Sequence, residues 1–166
     1  MNTTKDFTVR PLVASDHEWV APFMTEHWGA DMIVVHNQIF IPSMLPGFVA
    51  ERRSVPIGLI TYSLYAYDCE IVTLDSLIEN MGIGSALIES VEYVAREKGA
   101  ARLWLVTTND NLDALGFYQR RGFRIARVHS GAVEHARMFK PSIPEFGDNL
   151  IPIVDEIELE KRIGDE

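Results

Sequence analysis

A pair of glycines between a β-rich run and a helical pattern is the strongest local signal in the sequence. Gly82 and Gly84 flank Ile83 shortly after residues 69–77, and a helix with apolar residues at helical spacing is predicted from about Gly84. Glycine lets backbone N–H groups approach a ligand closely, and a helix N-terminus carries about half a positive charge. The segment is therefore suited to bind an anion such as a pyrophosphate. A tight strand-to-helix turn without a ligand is the alternative.

Several other catalytic or phosphate-binding motifs do not fit the chain. A dinucleotide fingerprint needs a third glycine, but the chain has Leu87 at that position. It also needs an acidic residue about 20 positions later, and the region near Arg102 is not acidic. The Gly-Lys-Ser/Thr of a P-loop and the Gly-x-Ser-x-Gly of a serine hydrolase are both missing. Cys69 has no neighbouring histidine, so a covalent acyl-cysteine is not expected.

A second set of residues with chemical potential lies further along the chain. Asn109 and Asn111 are typical N-caps for a following helix. On that helix Ala114 and Tyr118 are four residues apart and share a face, where the alanine leaves room beside the phenolic O–H. Gly116 costs the helix about 1 kcal/mol, which indicates close approach of a ligand or of another backbone.

The elements that must position these residues alternate along the chain, which predicts an α/β (α+β) fold. Strands are predicted at residues 7–11, 33–41, 47–52, 57–65, 69–77, 102–107 and 123–129. Helices are predicted to begin at Ser15, to span 84–98, and to run from the asparagines to about Arg121. The strands between 33 and 65 form an antiparallel meander, and the apolar run at 102–107 indicates an interior parallel strand.

The C-terminal region predicts a long loop followed by one more strand. Residues 140–152 contain three prolines and a glycine, which is typical of a loop. Residues 153–160 alternate between apolar and mostly acidic side chains, which favours a strand with one apolar face, although an acidic helix is also compatible. The whole chain, 1–166, is predicted to be one domain, with a core at about 5–140 and an extension at 141–166.

Composition and charge exclude several classes of protein. The chain has 166 residues, 47% of them hydrophobic, and a net charge of −9, which argues against nucleic acid as a partner. Its one cysteine excludes an intrachain disulfide, and its five histidines show no metal-ligand spacing, so no metal is expected. Without a signal peptide or a membrane-spanning run, a cytoplasmic protein with no membrane partner is expected.

The two motifs together resemble the GNAT superfamily of N-acetyltransferases. Gly82 and Gly84 match its Arg/Gln-x-x-Gly-x-Gly/Ala turn, and a second motif is matched by Asn109 or Asn111, Ala114, Phe117, Tyr118, Gly122 and Phe123. The resemblance covers about residues 7–129. It implies a mixed, mostly antiparallel, twisted central sheet flanked by helices, to which the C-terminal extension adds a strand. Glu79 departs from the pattern, and we expect charge repulsion to turn it away from the pyrophosphate.

The resemblance implies transfer of an acetyl group from acetyl-CoA, as co-substrate, directly to an amine. Tyr118 is the candidate general acid, by its match to the family's tyrosine. The base is expected on the strand before the glycine turn, where Glu70 and Asp68 are two residues apart and share one face. Glu70 is preferred, and water activated by either carboxylate is a further option.

The remaining site residues are also carried over from the family. The cofactor is expected to contact Leu74, Ser76, Met81, Gly82, Ile83, Gly84, Ser85, Asn109, Asn111, Ala114 and Tyr118. Trp28, His36 and Tyr62 are expected near the acceptor, which is an amine of a small molecule or a peptide. Two alternatives stay open: a catalytically silent acyl-CoA-binding module, and a regulatory homodimer that pairs through its terminal strand.

Overall fold

The computed structural model describes residues 6–164, which form four helices and nine strands. The helices are α1 (His17–Trp28), α2 (Ile83–Glu97), α3 (Leu112–Gln119) and α4 (Ala132–Phe139). The strands are β1 (Thr8–Pro11), β2 (Ile33–Val35), β3 (Gln38–Phe40), β4 (Gly47–Arg52), β5 (Val55–Tyr65), β6 (Asp68–Ser76), β7 (Arg102–Thr108), β8 (Arg124–His129) and β9 (Glu156–Arg162). Short 3-10 turns lie at Ala14–Asp16 and Pro42–Met44.

Seven of the strands form one twisted sheet in the order β1-β4-β5-β6-β7-β9-β8. All neighbours in it are antiparallel except β6 and β7. The predicted mixed, mostly antiparallel sheet flanked by helices is therefore confirmed. Within residues 6–164, no helix is both long and apolar enough to cross a membrane.

Two local features of β6 open the sheet near its centre. Opposite β5, Thr61 faces Thr73 and Tyr62 faces Ile71, so Val72 is an extra residue that forms a β-bulge. Opposite β7, only residues 68–70 of the described strand are paired, and they face residues 102–104. The C-terminal halves of β6 and β7 therefore separate and leave a gap between them.

The helices cover the two faces of the sheet. Leu87, Val91 and Ala95 of α2 are completely buried in the larger apolar cluster, as their 3.6-residue spacing predicts. A smaller cluster on the other face joins Val20 and Met24 of α1 to Leu59. The predicted helix at 84–98 is confirmed to within one residue at each end.

One predicted strand is wrong. Residues 33–41 form not a single strand but the hairpin β2–β3, which is a separate two-stranded sheet. The chain reverses at His36 and Asn37, whose φ angles are +37° and +63°. Positive φ at both central residues is typical of a two-residue hairpin turn, and asparagine tolerates it well. The run of β-branched residues around this turn hid it.

The C-terminal strand lies inside the sheet rather than at its edge. β9 pairs with β7 on one side and with β8 on the other, so the predicted added strand is confirmed. The expectation that this strand offers a free edge for a second chain is wrong, because both of its edges are occupied. The sequence also gave no indication of α4, which precedes the predicted loop.

Candidate active site

A cleft of about 750 Å³ lies where the glycine turn, the start of α2 and one face of α3 meet. Its walls are Leu74, Ser76, Ile78, Glu79, Asn80, Gly82, Ile83, Gly84, Asp113, Ala114, Phe117, Tyr118, Arg120 and Arg121. The two motifs that the sequence analysis singled out are thus brought together on one surface. The volume is within the range of pockets that bind cofactors and drug-sized ligands.

The turn before α2 has the features of an anion site. Asn80 and Gly82 have φ angles of +59° and +74°, a conformation that glycine adopts without strain. Gly82 caps α2, so the N–H groups of its first turn have no partner within the helix. That first turn contains no acidic residue, while Arg120 and Arg121 lie in the same cleft. These groups fit a pyrophosphate, although the exposed Glu79 and Asp113 also line the cleft.

Contacts between α2 and α3 fix the shape of the cleft. A Cβ atom on Gly84 would lie 2.9 Å from the Phe117 ring, so only glycine allows α3 to pack this closely. The Arg121 guanidinium lies 3.4 Å from the centre of the Phe117 ring, and its Nε donates to Ser85 Oγ at 3.0 Å. Asn111 caps α3 by accepting the N–H of Ala114. Gly84 therefore has a packing role besides any contact with a ligand.

Tyr118 is held rigidly between the cleft and the core. It is 7% exposed, and its ring makes edge contacts with Phe117 and Phe123. Among the residues that the structure describes, none is hydrogen-bonded to its hydroxyl. Burial raises the pKa of Tyr118, and the negative charge of Asp75 raises it further. The phenol is therefore a protonated and unengaged donor.

Asp75 is a titratable residue of β6 that the sequence analysis did not single out, and it is hydrogen-bonded to a wall of the site. Both of its carboxylate oxygens lie 3.0 Å from the indole Nε1 of Trp28, which donates to them. Burial raises the pKa of Asp75 to about 6, against the opposing effects of this hydrogen bond and of His27. No ion-pair partner of Asp75 lies within the described chain. A carboxylate that titrates near neutrality suits proton transfer.

The two carboxylates favoured from sequence have positively charged or titratable partners. Glu70 Oε1 lies 2.6 Å from His36 Nε2, and Asp68 is paired with Arg102 at 3.0 Å. Burial lowers the pKa of His36, but the hydrogen bond and charge of Glu70 and the charge of Glu156 raise it by more. Cys69, between the two acids, is inert because burial and Glu70 raise its pKa to about 12.

A second cavity, of about 430 Å³, lies beside α1 and β2, at the end of β7. Trp28, which is predicted to lie near the acceptor, lines it, and for that reason alone we call it the acceptor cavity. Its walls are His27, Trp28, Ile33, Val34, Thr108, Val133, Ala136, Lys140, Ser142, Ile143, Pro144, Ile153 and Glu156. Because Trp28 lines it and donates to Asp75, the Trp28–Asp75 pair connects this cavity to the gap between β6 and β7.

Hydrogen bonds hold the segment that covers the acceptor cavity. Arg137 of α4 donates to the carbonyl oxygens of Ile143, Pro144 and Ile153. Lys140 donates to the carbonyl oxygens of Trp28 and Met32 at 3.0 and 2.9 Å, which ties α4 to the end of α1. The loop predicted at 140–152 is thus an ordered wall of this cavity.

The remaining predicted site residues fall into two groups. Leu74, Ser76, Gly82, Ile83, Gly84, Ala114 and Tyr118 line the cleft, and Trp28 lines the acceptor cavity. Met81, Ser85, Asn109 and Asn111 are outside the lining of the cleft. Asn109 instead donates to Pro152 and accepts N–H groups of Val154 and Asp155, so it fastens the covering segment.

Two residues predicted near the acceptor, Tyr62 and His36, are outside the lining of this cavity, and their predicted contacts stay predictions. Tyr62 is buried on the opposite face of the sheet, where its ring stacks on Phe48 at 6.3 Å. His36 lines a neighbouring cavity of about 200 Å³, which shares Glu156 with the acceptor cavity. Strand alternation could not have revealed this separation, because it depends on where β2, β3 and α4 pack.

Comparisons with known proteins agree with this geometry. A family model described as acetyltransferase (GNAT) family matches residues 15–123. The chain is 45% identical over 145 residues to YxbD of Bacillus subtilis, which covers 87% of this chain and 91% of that protein. An IAA acetyltransferase from Bacillus cereus has a similar structure, with a TM-score of 0.71 at 19% identity over 94% of this chain and 99% of that one. A GNAT family acetyltransferase from Elizabethkingia anophelis with acetyl-CoA bound matches with a TM-score of 0.66 at 22% identity, over 96% and 99%.

Proposed function

The chain belongs to the acetyltransferase (GNAT) family, and from that premise we propose that it transfers an acetyl group directly to an amine of a small molecule or peptide. Acetyl-CoA, as co-substrate, supplies the thioester. The observation that carries the proposal is the pair Asp75 and Tyr118. Trp28, which lines the acceptor cavity, donates a hydrogen bond to the Asp75 carboxylate. The Tyr118 phenol lines the cleft, and the negative charge of Asp75 raises its pKa.

The cleft residues would hold the co-substrate by complementary charge and shape. The free N–H groups at the start of α2, with Arg120 and Arg121, suit the phosphates. Backbone groups of Leu74 and Ser76 border the gap between β6 and β7, where the pantetheine arm would form strand-like hydrogen bonds. A backbone N–H near Leu74 would polarise the thioester carbonyl.

We assign the role of proton acceptor to Asp75. An alkyl ammonium has a pKa near 10.4 and must lose a proton before its nitrogen can attack. With a pKa of about 6, the Asp75 carboxylate is ionised at neutral pH and more basic than an ordinary aspartate. It also lies on the face of β6 that α1 covers, because the extra residue Val72 reverses the alternation beyond it.

Tyr118 would then assist departure of the thiolate by donating its O–H, and the second proton that the amine nitrogen loses as the intermediate collapses to the amide would return to the phenolate. The charge of Asp75 contributes to the raised pKa of this phenol. When Asp75 accepts the proton of the amine, that charge disappears and Tyr118 becomes a stronger acid. Deprotonation of the nucleophile thus favours protonation of the leaving group, and the two steps are coupled through space.

Glu70 and Asp68 have a different proposed role, which is to position neighbouring groups. Glu70 holds His36, at the tip of the β2–β3 hairpin, and Asp68 holds Arg102 at the closed end of the β6–β7 pair. Either could still be the base, as the sequence analysis expected, if water connects it to the amine. Separate substitution of the three carboxylates decides between them.

The proposal is tested by binding and turnover measured on the same protein. Calorimetric titration with acetyl-CoA, CoA and ATP is expected to show binding of the first two only. Thiol release with a panel of amines is expected to require both acetyl-CoA and an acceptor. Binding without release for any amine would favour the catalytically silent module, and absence of acetyl-CoA binding would contradict the proposal altogether.

A further inference from the structure

Three glutamates point from one face of β9 toward the acceptor side of the sheet, and they differ in their partners. Glu158 is paired with Arg102 and His129, each at 3.2 Å. Glu160 is paired with Arg102 at 2.7 Å. Glu156 has no cationic side chain within ion-pairing distance among residues 6–164. Glu158 and Glu160 thus each have a cationic partner, although Asp68 also shares Arg102, and Glu156 has no such partner in the described chain.

Glu156 is also the most deeply buried of the three. It is 4% exposed, and one of its oxygens accepts the backbone N–H of His36 at 3.1 Å. The imidazole of His36 is engaged with Glu70 instead. A buried carboxylate is costly without a nearby positive charge, and the one on His36 is shared with Glu70, so a ligand cation would complete the balance. Its side chain borders both the acceptor cavity and the cavity of about 200 Å³ beside it.

We propose that Glu156 binds a second ammonium group of the acceptor, so that the substrates are diamines or longer polyamines. This inference rests on the proposed function, since the first amine is the one that is acetylated next to Asp75. Apolar side chains of Ile33, Val133 and Ile153 line the cavity between its charged groups, which suits a methylene chain. Specificity would come from the carboxylate, because a monoamine leaves it unpaired.

Other charged groups of these two cavities set the limits of the substrate class. Lys140 is 8% exposed and lines the acceptor cavity, but two of its three N–H donors bind the carbonyl oxygens of Trp28 and Met32. Neither Lys140 nor Glu156 has an ion-pair partner among residues 6–164, but the end of α1 already occupies two of the three donors of Lys140, and burial lowers its pKa. His27 lines the acceptor cavity, and His36, His129 and His135 line the smaller one. An amino acid whose carboxylate binds Lys140 is the competing class.

The test compares acceptors of equal length that differ in one end group. Diaminobutane, butylamine and aminobutanoate are titrated by calorimetry into the protein saturated with CoA, and diaminopentane and pentylamine form a second matched pair. The same titrations are made with Glu156→Gln, whose amide oxygen can still accept the His36 N–H. Glu160→Gln, in the same row but paired with Arg102, is the matched control.

The wild-type protein and Glu160→Gln are expected to bind each diamine at least about tenfold more tightly than the monoamine of the same length, as for a charge-assisted hydrogen bond. Glu156→Gln is expected to lose that preference while its affinity for CoA stays unchanged and its melting temperature does not fall. Steady-state thiol release should show the same ratio in KM.

Equal binding of diamine and monoamine by the wild type, tighter binding of aminobutanoate, or an unchanged preference in Glu156→Gln would each overturn the inference. The CoA titration separates this failure from failure of the proposed function. Normal CoA binding with rapid acetylation of monoamines would leave the transferase intact and remove only the diamine specificity. Loss of CoA binding in the wild type would contradict both.

Discussion

The two halves of β6 carry carboxylates in opposite surroundings. In the half that pairs with β7, which we call the closed half, Asp68 is bonded to Arg102 and Glu70 is bonded to His36. In the half that separates from β7, which we call the open half, Asp75 is bonded only to the neutral indole of Trp28. Burial raises the pKa of Asp75 to about 6, and the opposing effects of the Trp28 hydrogen bond and of His27 are smaller, because no ion pair holds this carboxylate within the described chain. Under the proposed function, the acids of β6 that pair with a cation position their neighbours, and the acid that has no such pair accepts a proton.

The largest expected difference between the two halves is in turnover. Asp75→Asn keeps an acceptor for the Trp28 indole but removes the proton acceptor, so kcat should fall by about 10²–10⁴-fold. Steady-state release of the CoA thiol with a good acceptor measures this effect. Calorimetry should show that the affinity for acetyl-CoA is unchanged. Glu70→Gln is the matched control from the closed half of the strand. A loss in Glu70→Gln that equals the loss in Asp75→Asn would remove the distinction.

The same Asp75→Asn change is expected to stabilise the protein. The pKa of Asp75 is about 6 in the folded protein and about 3.8 in the unfolded chain. The folded state is therefore favoured at low pH, where Asp75 is protonated. It loses this stability as the pH rises from about 3.8 to about 6. At pH 7.5 the charged carboxylate costs up to about 3 kcal/mol of unfolding free energy. Urea unfolding should show the variant to be more stable than wild type at pH 7.5, with a gap that shrinks toward pH 4. A less stable variant at pH 7.5 would contradict the desolvated carboxylate.

Substitution of Tyr118 tests the second part of the proposed chemistry, which is protonation of the leaving thiolate. Tyr118→Phe removes a hydroxyl that has no hydrogen-bond partner in the described chain, so the fold should tolerate it. We expect kcat to fall by roughly 10- to 100-fold. This is less than the loss of about 10²–10⁴-fold that is typical when a general acid is removed, because a thiolate is a weak base and can leave without a proton more easily than an alkoxide. Affinity for acetyl-CoA, measured by calorimetry, should stay the same. Parallel loss of affinity and turnover would make the tyrosine a packing residue only.

The closed half should respond in stability and only slightly in rate. The pKa of His36 is raised in the folded protein, so its pair with Glu70 stabilises most below the usual 6.5 and loses this effect as pH rises through the raised value. Glu70→Gln should therefore cost roughly 1–2 kcal/mol at pH 6 and less at pH 9. Unfolding curves at the two pH values measure this, and a cost that grows with pH would exclude a charged pair.

Local signals predicted the helices and the glycine turn that form the cleft. Gly82 indicates a turn with positive φ, and the spacing of Leu87, Val91 and Ala95 predicts the buried face of α2. Asn111 and Ala114 define the start of α3. Each of these features depends on residues within a few positions of one another, so the sequence alone was sufficient.

The acceptor side depends on contacts that sequence spacing cannot reveal. Asp75 is 47 residues from Trp28, and the bulge at Val72 decides which face of the sheet it occupies. Glu156 and His36 are separated by 120 residues. Simple alternation on a regular strand favoured Asp68 and Glu70, because it takes no account of the bulge or of the arginine and histidine that pack against them.

The pH dependence of acetyl transfer tests the central claim most directly. The rate kcat/KM for the acceptor should be measured from pH 5 to 9 at saturating acetyl-CoA for wild type, Asp75→Asn and Glu70→Gln. The wild type and Glu70→Gln should lose activity as pH falls through about 6, where Asp75 takes up a proton, and Asp75→Asn should lack this limb. An acidic limb that survives in Asp75→Asn and disappears in Glu70→Gln would return the base to the closed half of β6 and contradict the account.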